Sequence, residues 1–247
     1  MRRFGLLGRT LVHSFSTAYF GEKFRSEGID AEYRNYELPD ISLLPALIRE
    51  NPDLCGLNVT IPYKQSVIPY LDELDYAAAE IGAVNVVVIE RREGRVVLRG
   101  YNTDAPGFLE SARFCLYDNN PVKALLLGTG GASLAVKYAL ENVGVLCTRV
   151  SRTPVAGEYA YGDIDEDVVR HTGILVNCTP LGTYPDVGGC PPFPYQYLCE
   201  KHVAIDLVYN PPCTQFMQRC AAQGCVVRNG LSMLYRQAEL AWKLWNS

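Results

Sequence analysis

The sequence lacks any run of 18 or more uncharged apolar residues, so no stretch of it is expected to cross a membrane as a helix. It also lacks a basic run, and its net charge is −4. Neither nucleic acid nor an anionic membrane surface is therefore an expected partner. The opening residues place Arg2 and Arg3 ahead of an apolar stretch too short for a secretory signal. They read as a β-strand, and the expected location is the cytoplasm. Internal repeats and low-complexity segments are absent. Histidine is scarce: nothing beside His13 completes a proton relay, and His171 and His202 are expected at the surface or at strand edges. Cysteine is plentiful, with nine, yet Cys55, Cys115, Cys147, Cys178, Cys190, Cys199, Cys213, Cys220 and Cys225 contain no CxxC pair and follow no regular spacing. That disfavours zinc, and no metal is expected. An odd count without a secretory signal points to reduced thiols, several of them small core hydrophobes.

What is present is an ordinary globular composition, 48% hydrophobic and 20% charged. At 247 residues the chain can bury a large core as one domain or two. Strand and helix patterns alternate along it. Strands are expected at 4–8, 31–38 and 55–60, and helices at 16–27, 42–50 and 73–81. A hairpin is expected over 83–102, closing on Glu-Gly. A second series follows: helix 104–117, strand 122–127, helix 131–143, strand 145–150, helix 165–171, strand 173–178, strand 203–208, helix 213–222, strand 225–228 and a closing amphipathic helix 231–246. Strands spaced by helices throughout imply βα units and parallel sheets. The coarse expectation is two α/β domains joined near residue 104.

LLLGTGGASLAV (125–136) sets Gly128, Gly130 and Gly131 between an apolar strand and a helix. Glycines there let the backbone N–H groups and the helix N-terminus approach a pyrophosphate. Ser133 stands where the third glycine of GxGxxG usually falls, so the motif alone is weak. About twenty residues on, where an NAD-binding domain offers an acid to the ribose hydroxyl, this chain has Ser151, Arg152 and Thr153. An arginine flanked by hydroxyls suits a 2′-phosphate, which favours NADP over NAD. NVTIPYK (58–64) ends on Lys64, which local sequence alone reads as a surface lysine or as a proton donor. Asp104, at the junction of the two halves, reads as a helix N-cap, a site carboxylate or both. Ser14 and Ser16 alternate just before the first expected helix, where they could present hydroxyls to a carboxylate or cap that helix.

Read together with HSFS (13–16), GAVN (82–85), YNTD (101–104), NCTPLG (177–182), DLVYNPPCT (206–214) and NGLSMLYRQA (229–238), these motifs make the chain resemble the shikimate dehydrogenase family, in the family's order from residue 5 to about 240. The resemblance implies an N-terminal α/β substrate domain (1–104, joined by a returning helix at 231–247) and a Rossmann-like NADP-binding domain (105–230). It implies reversible NADP-dependent reduction of 3-dehydroshikimate to shikimate, a small-molecule partner, and a monomer or homodimer. By position, Lys64 and Asp104 match the family's catalytic pair. Ser14, Ser16, Thr60, Asn85, Tyr209 and Gln237 match its substrate contacts. Gly128, Gly130, Gly131 and Ala132 match its pyrophosphate turn, and Ser151, Arg152 and Thr153 its adenosine-phosphate clamp. Thr179, Leu207, Gly230 and Met233 fall where the family lines the cofactor. The chain departs from the family at Thr17, where proline is usual, and at Ser151, where asparagine is commoner. It also departs over 154–163, which reads as irregular where the family has a helix that often carries a second cation. Relatives that use NAD or oxidise quinate, and a non-catalytic binding relative, are the alternatives.

Overall fold

A computed structural model describes residues 1–11, 15–118 and 123–247. The chain divides into two compact units, 1–103 with 238–247, and 104–237.

The first unit runs β1 (Arg2–Gly8), α1 (Phe15–Ser26), β2 (Ala31–Glu37), α2 (Leu44–Glu50), β3 (Leu54–Val59), α3 (Tyr63–Ser66), β4 (Glu73–Leu74), α4 (Tyr76–Ile81), β5 (Val86–Arg92) and β6 (Arg95–Tyr101). Its sheet has the order β2-β1-β3-β5-β6-β4. The sheet is mixed: β1 runs parallel to β2 and β3, and β4 to β6, while β5 runs antiparallel to both β3 and β6, the second of these pairs being the expected hairpin. Its tight turn at Glu93-Gly94 reverses the chain in place. Side-chain alternation then sorts residues between two faces. Phe4, Leu6 and Val86 join one cluster with Phe20, Phe24, Ala238, Ala241 and Trp245, while Leu7, Leu57, Val59, Val87 and Ile89 join another with Leu44, Ile48, Tyr63 and Ala78. The helix expected over 73–81 is shorter. Glu73 and Leu74 pair as strand with Arg99 and Gly100, and the Asp75 carboxylate caps α4 by accepting from Ala78 N at 3.0 Å. Helix-forming side chains at 73 and 74 were overridden by the free edge of β6.

The second unit runs α5 (Asp104–Ser111), α6 (Arg113–Asp118), β7 (Lys123–Leu127), α7 (Gly131–Glu141), β8 (Leu146–Ser151), β9 (Tyr159–Ala160), α8 (Glu166–Arg170), β10 (Ile174–Asn177), β11 (Val203–Asp206), α9 (Gln215–Ala222), β12 (Val226–Arg228) and α10 (Leu231–Leu244), whose final residues belong to the first unit. The expected single helix over 104–117 is two helices broken at Ala112. The six strands are parallel, in the order β12-β11-β10-β7-β8-β9. Numbered within this unit and read from the β9 edge, that is 3-2-1-4-5-6, the Rossmann arrangement, whose topological switch lies between β7 and β10. The central strands β7, β10 and β11 are buried and mostly apolar because both faces are covered, as in other parallel sheets. His202, expected at the surface or at a strand edge, is buried directly ahead of β11, with Nε2 3.1 Å from Val169 O and Nδ1 3.0 Å from Cys199 N.

Among the described residues no helix is long and apolar enough to cross a membrane, and no cluster of His, Cys, Asp and Glu could hold a metal. All nine cysteines are free thiols, with Cys115, Cys220 and Cys225 buried.

Candidate active site and nucleotide site

In the first unit, one end of the sheet gathers Thr60, Lys64 and Asn85. Thr60 follows β3, with its N–H on Leu7 O at 2.9 Å, and its carbonyl accepts from Tyr63 N to start α3. Lys64 is the second residue of that short helix and is half-buried; its carbonyl accepts from Val84 N at 2.7 Å. Next to Val84, Asn85 is buried. Its side chain holds Thr103 from both sides, accepting from Thr103 N at 2.7 Å and donating to Thr103 Oγ1 at 2.9 Å. The residue after Thr103 is Asp104, buried at the first position of α5. A chain of side-chain bonds therefore fixes the backbone on which Asp104 is mounted.

Ser14 lies outside the described residues. Ser16 is not ahead of the first helix but is its second residue, buried, with its hydroxyl on the Tyr33 phenol. Tyr33 in turn donates to Asn58 Oδ1 at 2.7 Å. Burial pushes the Tyr33 phenol up, the Ser16 bond only partly offsetting it. Tyr33 and Asn58 escaped the sequence reading, although a polar residue near the end of the apolar strand LCGLNV was a usable signal. Tyr209 is half-buried and its phenol is raised by desolvation. Gln237 is not a helix-surface amide: it is buried, packed with Met233 against Gly107 of α5, and its Nε2 donates to Leu234 O at 2.9 Å.

In the second unit, Gly128 ends β7 with φ +105°, a region that strongly favours glycine. Its N–H donates to Val150 O at 2.9 Å. A methyl built on it would stand 3.0 Å from Thr179 Cγ2, so the turn is pressed between β8 and the loop after β10. Gly130 is the N-cap of α7 without a side-chain capping bond, and a methyl built there meets nothing within 4 Å. The first amides of α7, Gly131 and Ala132 among them, have no partner within the helix. Unfilled space at a helix N-terminus with unspent amides fits a pyrophosphate. Ser133, in place of the third glycine, is completely buried beside the Cys178 thiol, so a small side chain meets the packing demand at that position.

At the end of β8, Ser151 is buried and its hydroxyl accepts from Thr153 N at 3.1 Å, while Arg152 is exposed. The segment expected to be irregular closes a short loop, returns as β9 on the sheet edge and ends in a 3-10 turn at Tyr161–Asp163; the five-residue helix α8 follows it. The Glu158 carboxylate is nearly buried and is taken up by Arg149 at 2.6 Å and by Val155 N. It is therefore not offered to a ribose hydroxyl. The Arg152 cation partly offsets the burial that raises the Tyr161 phenol.

Three buried polar residues link the carboxyl ends of β10 and β11. Asp206 Oδ1 accepts from Asn177 Nδ2 at 2.9 Å and Val208 N at 3.0 Å, and its second oxygen accepts from Thr214 Oγ1. Asn177 Oδ1 accepts from Thr179 N at 3.0 Å and Thr179 Oγ1 at 2.6 Å. Desolvation raises the Asp206 carboxyl to about 6. Beyond Asp206, the Leu207 carbonyl lies so close to Gly230 that a methyl there would sit 2.2 Å from it.

A glycine turn at the switch point of a 3-2-1-4-5-6 parallel sheet, with an arginine where an NAD site has an acid, defines a dinucleotide-binding α/β protein. Residues 6–87 match the model of the shikimate dehydrogenase substrate binding domain. The shikimate dehydrogenase (NADP(+)) of Thermus thermophilus is 36% identical, over 99% of this chain and 92% of its own length. The crystal structure of shikimate 5-dehydrogenase from Thermus thermophilus, in complex with NADP(H) and shikimate, superposes with TM-score 0.84 over 99% of this chain and 93% of that one. Shikimate dehydrogenase 1 from Peptoclostridium difficile, 34% identical, gives 0.84 over 100% and 92%. The chain belongs to the shikimate dehydrogenase family.

Proposed function

We propose that this chain catalyses the reversible reduction of 3-dehydroshikimate to shikimate with NADP, the first unit binding the substrate and the second the nucleotide. The observation that carries the reading is near full-length similarity to an enzyme solved with NADP(H) and shikimate, in a chain that keeps Lys64 and Asp104. A binding-only relative would be free to lose either residue.

A ketone that gains a hydride at carbon gains negative charge at oxygen, and that oxygen must receive a proton. Lys64 Nζ would donate it and, as a cation, would stabilise the charge while it develops. The Asp104 carboxylate would accept hydrogen bonds from the ammonium and from a substrate hydroxyl, holding donor and acceptor in line. Ser14, Ser16, Thr60, Asn85, Tyr209 and Gln237 would hold the substrate's carboxylate and hydroxyls. NADPH, when bound, supplies the hydride. The amides of Gly130, Gly131 and Ala132 would hold its pyrophosphate, and Arg152 with Ser151 and Thr153 its 2′-phosphate. Thr179, Leu207 and Gly230 would line the cofactor, with Met233 near its nicotinamide. The test is to mix purified protein with shikimate and NADP and to follow absorbance of the reduced nicotinamide. No signal with NADP or NAD would sink the reading.

A further inference from the structure

We propose that Asp206 is a positioning residue for the nucleotide turn, acting through Asn177 and Thr179 on Gly128. The inference rests on the reading that the second unit binds NADP. Its basis is a relay of contacts at the switch point. Asp206 is fully buried at the end of β11 and receives Asn177 Nδ2 at 2.9 Å. With its amide nitrogen engaged, Asn177 can turn only its oxygen towards the next loop, where that oxygen takes both the N–H and the hydroxyl of Thr179. The Thr179 hydroxyl also accepts from Leu181 N at 3.3 Å. Thus oriented, Thr179 sets its methyl against Gly128, the one residue of the turn whose left-handed backbone strongly favours glycine. No atom of Asp206 need touch the nucleotide. Its carboxylate decides which way the Asn177 amide faces, because a carboxylate only accepts and so selects the NH₂ edge. A buried asparagine without that bias could present either edge, and with its NH₂ towards Thr179 the two bonds that seat the threonine would be lost.

The experiment measures the NADPH dissociation constant by fluorescence titration, without substrate, and the KM for shikimate in parallel. Asp206→Ala and Asn177→Ala should each weaken NADPH binding about tenfold. The double variant should be no weaker than the weaker single, because both break one relay. The KM for shikimate should move less than twofold. Asp206→Asn, whose amide oxygen is held towards Asn177 Nδ2 by Val208 N while its NH₂ can donate to the Thr214 hydroxyl, should recover affinity to within about threefold of wild type. A merely structural residue would lower the melting temperature and the folded fraction while leaving the dissociation constant of the folded protein unchanged, and that result would overturn the proposal. So would effects that multiply in the double variant, or equal losses for shikimate and NADPH. If the alanine variants do not fold, Asn177→Ser, which shortens the link out of reach of Asp206, decides: weaker NADPH binding supports the relay and unchanged binding overturns it. Wild-type protein that binds NADPH without turning over shikimate would defeat the proposed reaction, and the dissociation constants would still decide the relay. Wild-type protein that does not bind NADPH would overturn both.

Discussion

The indole of Trp245 lies against the backbone of Gly56, and its Nε1 donates to Val87 O at 3.1 Å. A methyl at Gly56 would stand 2.2 Å from that nitrogen. The contact ties the end of α10 to the middle of the first sheet, where Trp245 also stacks on Phe4 at 4.8 Å. Gly56→Ala should therefore displace the indole and destabilise by about 1–3 kcal/mol, and Trp245→Ala by about 3–5 kcal/mol. Urea unfolding measures both; a neutral Gly56→Ala would mean that the helix end is free to shift.

Lys64→Ala should lower kcat by about 10²–10⁴-fold, the range for a positioned proton donor, with a much smaller change in the KM for shikimate. Steady-state kinetics separates the two. Losses confined to KM would mean that the lysine only binds.

Arg152→Ala should raise the KM for NADP by about 10–100-fold, the worth of a charge-assisted hydrogen bond of roughly 1.5–3 kcal/mol, and spare whatever rate NAD supports. The comparison needs both cofactors on both proteins, because a general loss of folding would penalise them alike.

Asp206 titrates near 6 in the fold, against 3.8 for a free aspartate. The native state therefore holds a proton that the unfolded chain has released between about pH 4 and 6. The contribution of this group to stability falls as pH rises through that window, by about 3 kcal/mol for a shift of about two units. Asp206→Asn should remove the effect. The stability of wild type minus that of the variant, from urea unfolding at pH 4 to 7, should become more negative by that order, and a flat difference would contradict the burial argument.

Thiol chemistry gives a cheap check on the cysteines. Cys213 is the exposed one among the nine, so a thiol reagent should label it first in native protein. Cys115, Cys220 and Cys225 should react only on unfolding, since burial pushes Cys115 and Cys225 up to about 11 and raises Cys220 further.

The sequence by itself determined the local features whose physical cause is local. Glu-Gly between two β-rich arms makes the hairpin at 86–101, glycines after an apolar strand make the turn between β7 and α7, and Arg152 at the end of β8 stands in a position set by chain length from that turn. The tertiary structure decided whatever depends on distant partners. Glu73 and Leu74 became strand because β6 had an open edge, and His202 went inside because Val169 and Cys199 could satisfy both ring nitrogens. Gln237 was buried by packing on Gly107. Asp206, Asn177 and Thr179 sit 29 and two residues apart in the chain, and nothing in the local pattern joins them. They meet because adjacent parallel strands end side by side, where a buried carboxylate must find donors from whichever loops the sheet brings to it.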